Sequence, residues 1–185
     1  QAQIIDDLLD VSRIVGGKLS LDVGRVDLVD LVSVTLDSFE VAATAKQLRI
    51  KRVLEPAAAA VLGDAGRLSQ IIANLVGNAI KFTPRGGSVT VVLRRLESDV
   101  ELVVSDTGEG IAADLLPLVF DMFRQGDAGM NRRSRGLGIG LAIARKLTEL
   151  HGGRISAESP GVGLGASFRV RIPTLAVIAG DAPET

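Results

Sequence analysis

The segment from Asp64 to Phe82 constrains the fold more than any other part of the sequence, because it carries two separate stripes at helical spacing. One stripe is apolar and consists of Leu68, Ile71, Ile72, Leu75 and Ala79. The other consists of Asn74, Asn78 and Lys81 and lies about 120° around the helix, at about 100° per residue. The pattern predicts a helix that begins after Asp64, buries one face and displays amide groups on another.

Two asparagines one turn apart are unusual inside a helix, because their amides compete for backbone hydrogen bonds. The oxygen of an asparagine is a neutral, hard ligand that suits Mg²⁺, and the ammonium group of Lys81 suits phosphate. A solvated polar face is the plain alternative. The helix alone leaves both interpretations open.

Three glycine-rich motifs follow this helix. Asp106 ends a strand pattern and begins Asp-Thr-Gly-Glu-Gly-Ile, where a tight turn admits a flat ligand and the carboxylate can accept from an exocyclic amine. Gly136 to Gly140 open a helix that runs to about His151, and free N–H groups at such a helix start suit a phosphate. The third motif comprises Gly161, Gly163 and Gly165 before the last strand. Taken singly, the motifs are also explained by a turn, a flexible hinge and a hairpin.

The remaining patterns predict an α+β fold. Asp27 can cap a further helix. Five segments read as strands: Leu48–Glu55, Ser88–Leu96, Val100–Ser105, Gly153–Glu158 and Ala166–Ile172. Two hairpins among irregularly alternating helices indicate a mixed sheet of about five strands covered on one face by about three helices. Residues 120–135 are typical of a functional lid or a disordered segment. Residues 1–16 predict an amphipathic helix with a heptad-like seam, which needs a partner: dimerisation and docking on the main domain are both open.

Composition excludes several classes of function. The formal charge of −1 provides no electrostatic basis for binding nucleic acid or an anionic membrane. The absence of Cys and the presence of one His exclude disulfides, thiolate chemistry and a His-built metal site. No apolar run approaches the roughly 18 residues of a membrane span. Because the sequence starts at Gln1, we expect it to be part of a longer protein.

The order of these motifs resembles the ATP-binding domain of sensor histidine kinases, in the superfamily shared with DNA gyrase, Hsp90 and MutL. The resemblance runs from Val26 to Pro173. It covers the N box (Asn74 to Phe82), the G1 box (Asp106 to Gly110), the F box (Phe120, Phe123), the G2 box (Gly136 to Gly140) and the G3 turn (Gly163, Gly165). It implies a two-layer α/β sandwich, the Bergerat fold. The implied organisation is the end of a dimerisation and phosphoacceptor hairpin with its linker at residues 1–22, the ATP-binding domain at 23–174, and a C-terminal linker at 175–185.

The resemblance also implies roles for individual residues. Asn78 would hold Mg²⁺, and Asn74 and Lys81 would be the catalytic residues, close to the metal and the phosphates. Phe82 would pack beside the nucleotide, and Asp106 would accept from the adenine amino group. Gly108, Gly110, Ile111 and Ser167 would shape the base pocket, and Gly136, Leu137, Gly138, Gly140 and Leu141 would wrap the phosphates.

The implied function is a protein-histidine kinase domain that binds Mg-ATP. It would transfer the γ-phosphate to a histidine on a phosphoacceptor helix, for relay to an aspartate of a response-regulator receiver domain. The implied full-length protein is a homodimer with this domain in the cytoplasm, a candidate for anchoring in a bacterial inner membrane; no nucleic acid and no direct membrane contact of this segment are expected. The alternative is a degenerate ATP-binding sensor or interaction module without kinase activity.

Three positions refine the resemblance. The ATPase branches carry Glu where this chain has Asn74, and an amide cannot usefully accept a proton from water. His151 matches a structural position rather than the phosphorylated histidine. Many relatives carry Thr directly after the last G3 glycine, whereas this chain has Ala166 followed by Ser167, and strand alternation turns Ser167 to the other side. Four arginines of the lid segment are candidates to contact the γ-phosphate or the hairpin: Arg124, Arg132, Arg133 and Arg135.

Overall fold

The computed structural model describes residues 12, 16, 19–58, 60–122 and 138–174. Several predictions concern residues outside this part: most of the N-terminal helix, the C-terminal linker, Phe123, the four lid arginines, Gly136 and Leu137. Within the first of these segments, the Gly16 N–H group donates to the Ser12 carbonyl over 3.0 Å, the i to i−4 bond of a helical turn.

A mixed five-stranded sheet forms one layer, as the sequence predicts. Its strands are β2 (Arg49–Leu54), β4 (Ser88–Arg95), β5 (Asp99–Asp106), β6 (Arg154–Glu158) and β7 (Ala166–Pro173), in the order β2-β4-β5-β7-β6. Strands β2 and β4 are parallel, and the other neighbours are antiparallel. The sequence did not indicate a second, two-stranded sheet of β1 (Gly24–Asp27) and β3 (Ala60–Gly63), because four-residue strands are too short to show alternation.

The helices form the other layer. They are α1 (Leu28–Asp37), α2 (Glu40–Ala45), α3 (Ala65–Phe82) and α4 (Gly140–Leu150), with short 3-10 turns at Pro56–Ala58 and Leu116–Leu118. The predicted caps are confirmed: Asp27 accepts from the N–H groups of Val29 and Asp30, and Asp64 accepts from Arg67. The separate short helix α2 was not predicted. Among the described residues, no helix combines the length and apolar character needed to cross a membrane.

The core lies between the helices and one face of the sheet. The apolar stripe of α3 is buried, as are alternate residues of β4 such as Val89 and Val91. The opposite sheet face is polar. There Glu101 is fully buried beneath Arg94 and Arg171, whose side chains donate to its carboxylate. Burial raises the pKa of Glu101, but these hydrogen bonds outweigh that effect and hold the pKa below its usual range. The two-layer α+β sandwich predicted from the sequence is therefore confirmed.

Candidate functional site

The polar stripe of α3 faces the start of α4. Asn74 Nδ2 donates to the carbonyl of Gly140, the first residue of α4, over 3.0 Å. A Cβ atom added at Gly140 would lie 3.5 Å from the Asn74 amide, at ordinary van der Waals distance, so a small side chain there would just touch that amide. The structure thus brings together two motifs that are 66 residues apart in the sequence.

Asn78 and Lys81 continue the stripe toward the end of α3. Both side chains are half-buried, and among the described residues the Asn78 amide has no hydrogen-bond partner. The Lys81 ammonium lies 4.9 Å from the centroid of the Phe82 ring, which is 44% exposed. Burial lowers the pKa of Lys81, since the charged ammonium has lost part of its water. An arriving phosphate would restore favourable interactions to that charge.

The amide of Asn78 fits a magnesium ion. Mg²⁺ in nucleotide sites takes one or two protein oxygens, with substrate phosphates and waters completing its coordination. Asn78 offers such an oxygen between Asn74 and Lys81, on a face that also carries the Lys81 ammonium group. Within the described residues there is no group of three or more His, Cys, Asp or Glu side chains that could hold a metal ion. The donor set therefore favours a metal that is bound jointly with phosphate.

Asp106 lies at the other end of the stripe. It ends β5, and its Oδ1 accepts from the Gly108 N–H group over 2.8 Å. Burial raises the pKa of Asp106, and the backbone hydrogen bond from Gly108 acts in the opposite direction. The Glu109 N–H group donates to the Phe82 carbonyl over 3.1 Å. Asp106 is thereby held beside the C-terminal end of α3.

The turn after β5 and the turn before β7 pack backbone against backbone. The N–H group of Gly163 donates to the Glu109 carbonyl over 2.6 Å, and that of Gly165 donates to the Gly108 carbonyl over 3.1 Å. Gly110 has a φ of +68°, and a Cβ atom there would collide with the Gly161 carbonyl. Only glycine permits this approach. The alternating glycines and their hydrogen-bonded backbone therefore form a wall beside Asp106.

The remaining predicted residues occupy different positions. Ile111 and Leu141 pack partly buried against the core, and Gly138 has a φ of +70° just before α4. Phe120 of the F box meets Phe168 edge to face, with ring centroids 6.3 Å apart.

Ser167 is not brought together with Asp106. Ala166 is the register partner of Asp106, whereas Ser167 pairs with Ser105, and the two serine hydroxyl oxygens lie 2.8 Å apart. Successive residues of a strand point to opposite faces, so Ser167 lies on the polar sheet face away from α3.

Two residues that support the site were missed by the sequence reasoning. The Lys46 ammonium donates to the carbonyls of Ile80, Lys81 and Thr83 over 2.7, 3.0 and 2.7 Å, at the end of α3. The Ser159 hydroxyl accepts from the Ile111 N–H group over 2.9 Å and donates to the Gly165 carbonyl over 2.7 Å. No periodicity or motif marked either residue.

His151 is a structural residue. Its Nδ1 donates to the Leu147 carbonyl over 2.7 Å, because a carbonyl only accepts, and its Nε2 accepts from the Asp64 N–H group over 3.0 Å. Both nitrogens of a neutral ring are thus used in joining the end of α4 to the start of α3.

The site has a direction along α3. The turn that carries the Asp106 carboxylate, together with the wall of glycines beside it, meets α3 at Phe82, the last residue of that helix. Asn74 meets the start of α4 near the middle of the helix, and Asn78 and Lys81 lie between. A ligand with a base at one end and phosphates at the other would extend from Asp106 toward Asn74.

Comparison with known proteins gives matches to one family. A family model described as "Histidine kinase-, DNA gyrase B-, and HSP90-like ATPase" matches residues 63–176, more than half of the chain. Hybrid signal transduction histidine kinase D of Dictyostelium discoideum is 37% identical over 178 residues, which cover 92% of this chain and 11% of that protein. Histidine protein kinase DivJ of Caulobacter vibrioides is 37% identical over 172 residues, which cover 93% of this chain and 28% of that protein.

Solved structures give the same result. The crystal structure of full-length ShkA in complex with AMPPNP matches with a TM-score of 0.80 and 30% identity, over 94% of this chain and 36% of that chain. The catalytic domain of histidine kinase ThkA, in a nucleotide-free form, matches with a TM-score of 0.73 and 25% identity, over 83% of this chain and 98% of that chain. The chain thus spans less than a third of either curated relative but nearly all of one solved catalytic domain.

Proposed function

Because the chain belongs to the family of histidine kinase-, DNA gyrase B- and HSP90-like ATPases, we propose that it is the Mg-ATP-binding catalytic domain of a sensor histidine kinase. In this role it transfers the γ-phosphate of ATP to a histidine of a phosphoacceptor hairpin, which passes it to an aspartate of a receiver domain. The proposed setting is a homodimeric kinase with this domain in the cytoplasm.

The hydrogen bond between Asn74 and Gly140 carries the proposal. It places the polar stripe of α3 against the N-terminal end of α4, where backbone N–H groups and the helix dipole favour phosphate. Asp106, at the far end of the stripe, accepts from the amino group of adenine. The exposed ring of Phe82 lies between the two ends, where it packs beside the nucleotide.

The residues of the stripe neutralise charge during transfer. A histidine ring nitrogen attacks the γ-phosphorus, the bond from that phosphorus to the bridging oxygen breaks, and ADP leaves with the electron pair. Lys81 offsets the charge of the phosphates, and Asn74 holds the start of α4 beside them. Mg²⁺, when bound by Asn78, supplies further neutralisation of the phosphate oxygens.

The amide at Asn74 favours transfer over hydrolysis. Activation of a water molecule requires a group that accepts its proton, and an amide is a poor base at neutral pH. A nucleotide in this site therefore retains its γ-phosphate until a better nucleophile, such as an imidazole nitrogen, arrives. We expect ATP binding with slow steady-state hydrolysis.

Calorimetric titration with a non-hydrolysable ATP analogue, with and without Mg²⁺, tests the binding half of the proposal. We expect Asn78→Ala to weaken binding in the presence of Mg²⁺ by about fivefold, since a polar contact contributes about 1 kcal/mol. Binding without Mg²⁺ should stay within about twofold, because the contact that is lost is one to the metal. An equal loss under both conditions would contradict metal coordination by Asn78. Ser69→Ala, on the same helix but hydrogen-bonded to Thr35, is the matched control.

Phosphotransfer tests the other half. The chain is incubated with ATP and the separately supplied phosphoacceptor hairpin of its parent kinase. Acid-labile, base-stable labelling of the hairpin is the expected result. Nucleotide binding without labelling would favour the alternative of an ATP-sensing module, and failure to bind Mg-ATP would overturn both.

A further inference from the structure

The outer face of the five-stranded sheet, which is turned away from the helices, carries an excess of positive charge. Register partners in neighbouring strands share a face, so the strand pairing shows which side chains lie there. Against three acidic side chains, the strands place six basic ones on this face: Arg49, Lys51, Arg94, Arg154, Arg169 and Arg171. The outer face is therefore basic, although the whole chain has a formal charge of −1.

A buried carboxylate lies at the centre of this charge. Strand pairing places Arg94, Glu101 and Arg171 side by side in one row across β4, β5 and β7. Glu101 is fully buried, and its carboxylate accepts from Arg94 Nε over 2.8 Å and from Arg171 Nε over 2.5 Å. Arg169 Nε lies 3.4 Å from the same carboxylate but has no hydrogen-bond partner among the described residues. One carboxylate thus faces more guanidinium donors than it pairs.

The two arginines of the row keep donors for a ligand. A guanidinium group carries five N–H groups. Within the part of the chain that the structure describes, Arg171 uses only its Nε, and Arg94 leaves its Nη1 unpaired. Their side chains are 33% and 47% exposed, so a partner can reach them. Because Glu101 fixes both groups in place, they form a preorganised site for anionic oxygens.

An apolar row beside the arginines favours a protein ligand. Val53, Val92 and Val103 are register partners across β2, β4 and β5, two residues along the strands from the row of arginines. Val53 is 41% exposed. A nucleic-acid backbone or a lipid headgroup would match the arginines alone. A protein segment with carboxylates on one side and apolar side chains beside them matches both rows.

This surface is remote from the candidate nucleotide site. Asp106 lies five residues along β5 from Glu101, which is about 17 Å at about 3.4 Å per residue. Strand alternation also directs the two side chains to opposite faces of the sheet. A partner on the outer face and a nucleotide beside Asp106 can therefore bind at the same time.

We propose that the outer sheet face, centred on Arg94, Glu101 and Arg171, is a docking surface for an acidic, amphipathic segment of a partner protein. The arginines bind carboxylates of that segment, and the row of valines covers its apolar side chains. The inference does not depend on the proposed function, because none of these residues is assigned to the nucleotide.

Fluorescence polarisation tests the surface with a labelled helical peptide that carries glutamates on one face and leucines beside them. A peptide with glutamine in place of each glutamate is the control ligand. We expect Arg94→Gln and Arg171→Gln each to weaken binding of the glutamate peptide about fivefold, through loss of a partly exposed ion pair. Val53→Asn should weaken it severalfold. Glu101→Gln should strengthen it severalfold, because the carboxylate that offsets the arginines is gone.

Arg95→Gln is the matched control. Arg95 follows Arg94 on β4 but lies on the other face, where its Nη1 donates to the Ala57 carbonyl over 3.5 Å. It should leave the peptide affinity unchanged. All variants should keep the wild-type affinity for a non-hydrolysable ATP analogue, which reports that they are folded.

Several results would overturn the docking role. They are no binding of the glutamate peptide, equal binding of the glutamine peptide, and an equal loss in Arg95→Gln. Tighter binding of single-stranded DNA or of phosphatidylserine vesicles than of the peptide would also overturn it. Should Glu101→Gln fail to fold, the two arginine variants decide. None of these results bears on the proposed function, which is tested by ATP binding and histidine labelling.

Discussion

The two ends of the site are built in different ways. At the base end, two turns are joined by hydrogen bonds between backbone atoms, from Gly163 to Glu109 and from Gly165 to Gly108. At the end proposed to bind phosphate, the hydrogen bond between α3 and the first residue of α4 comes from a side chain, that of Asn74. The comparison teaches that the end proposed for the base is held by contacts between backbone atoms, whereas the end proposed for phosphate depends on a side chain, which a substitution can remove.

Substitution of a glycine in the wall beside Asp106 should have the largest effect on stability. Gly110→Ala adds a Cβ atom that collides with the Gly161 carbonyl at a φ of +68°. We expect the free energy of unfolding to fall by roughly 4 kcal/mol, the range of the most damaging single substitutions, measured by urea denaturation. Gly86→Ala is the control, because its φ is +83° but nothing lies within 4 Å of the added atom. It should lose only the roughly 1–2 kcal/mol of left-handed strain, and equal losses would refute the packing argument.

Removal of the Lys46 ammonium, which donates to three carbonyls at the end of α3, should have the next largest effect. Lys46→Met keeps the side-chain stem but leaves the carbonyls of Ile80, Lys81 and Thr83 without their charged donor. We expect a loss of roughly 2 kcal/mol in the free energy of unfolding, because hydrogen bonds to charged groups contribute roughly 1.5–3 kcal/mol. Hydrogen exchange should increase in the last turn of α3. Lys51→Met, at an exposed position of strand β2, is the control. An equal fall in its free energy of unfolding would show that the three hydrogen bonds of Lys46 are not the cause.

The Asp106→Asn variant should be slightly more stable than the wild-type chain at neutral pH but should bind ATP more weakly. Burial raises the pKa of Asp106 in the folded domain, so this group's contribution to stability is complete below its unfolded pKa and is lost as the pH rises through the folded value. At neutral pH the neutral amide avoids this loss and still accepts from Gly108. We expect the ligand-free variant to unfold at a slightly higher temperature at pH 7, with the difference disappearing below about pH 4.

The same variant should bind ATP about tenfold more weakly, since a neutral amide is a poorer acceptor than a carboxylate for the adenine amino group. Calorimetry with adenine and guanine nucleotides measures this. An unchanged preference for adenine would remove Asp106 from base recognition and would weaken the contrast between the two ends.

The sequence by itself determined the local framework of this protein. The cap residues Asp27 and Asp64, the two stripes of α3 and the alternation of the strands each arise from interactions within a few residues. These short-range preferences act wherever the segment is placed. For that reason the bounds of α3, the mixed sheet and the motif order could be predicted, whereas the separate helix α2 was not, and the resemblance that the motifs carry led to the correct family.

Only the tertiary structure decided which groups meet. The contacts of Lys46 with residues 80–83, of Asn74 with Gly140 and of Ser105 with Ser167 join positions 34 to 66 residues apart. No pattern in the sequence encodes such pairs, because they depend on how whole layers pack and how strands register. The same packing turned Ser167 away from Asp106, because Ala166 and not Ser167 is the register partner of Asp106.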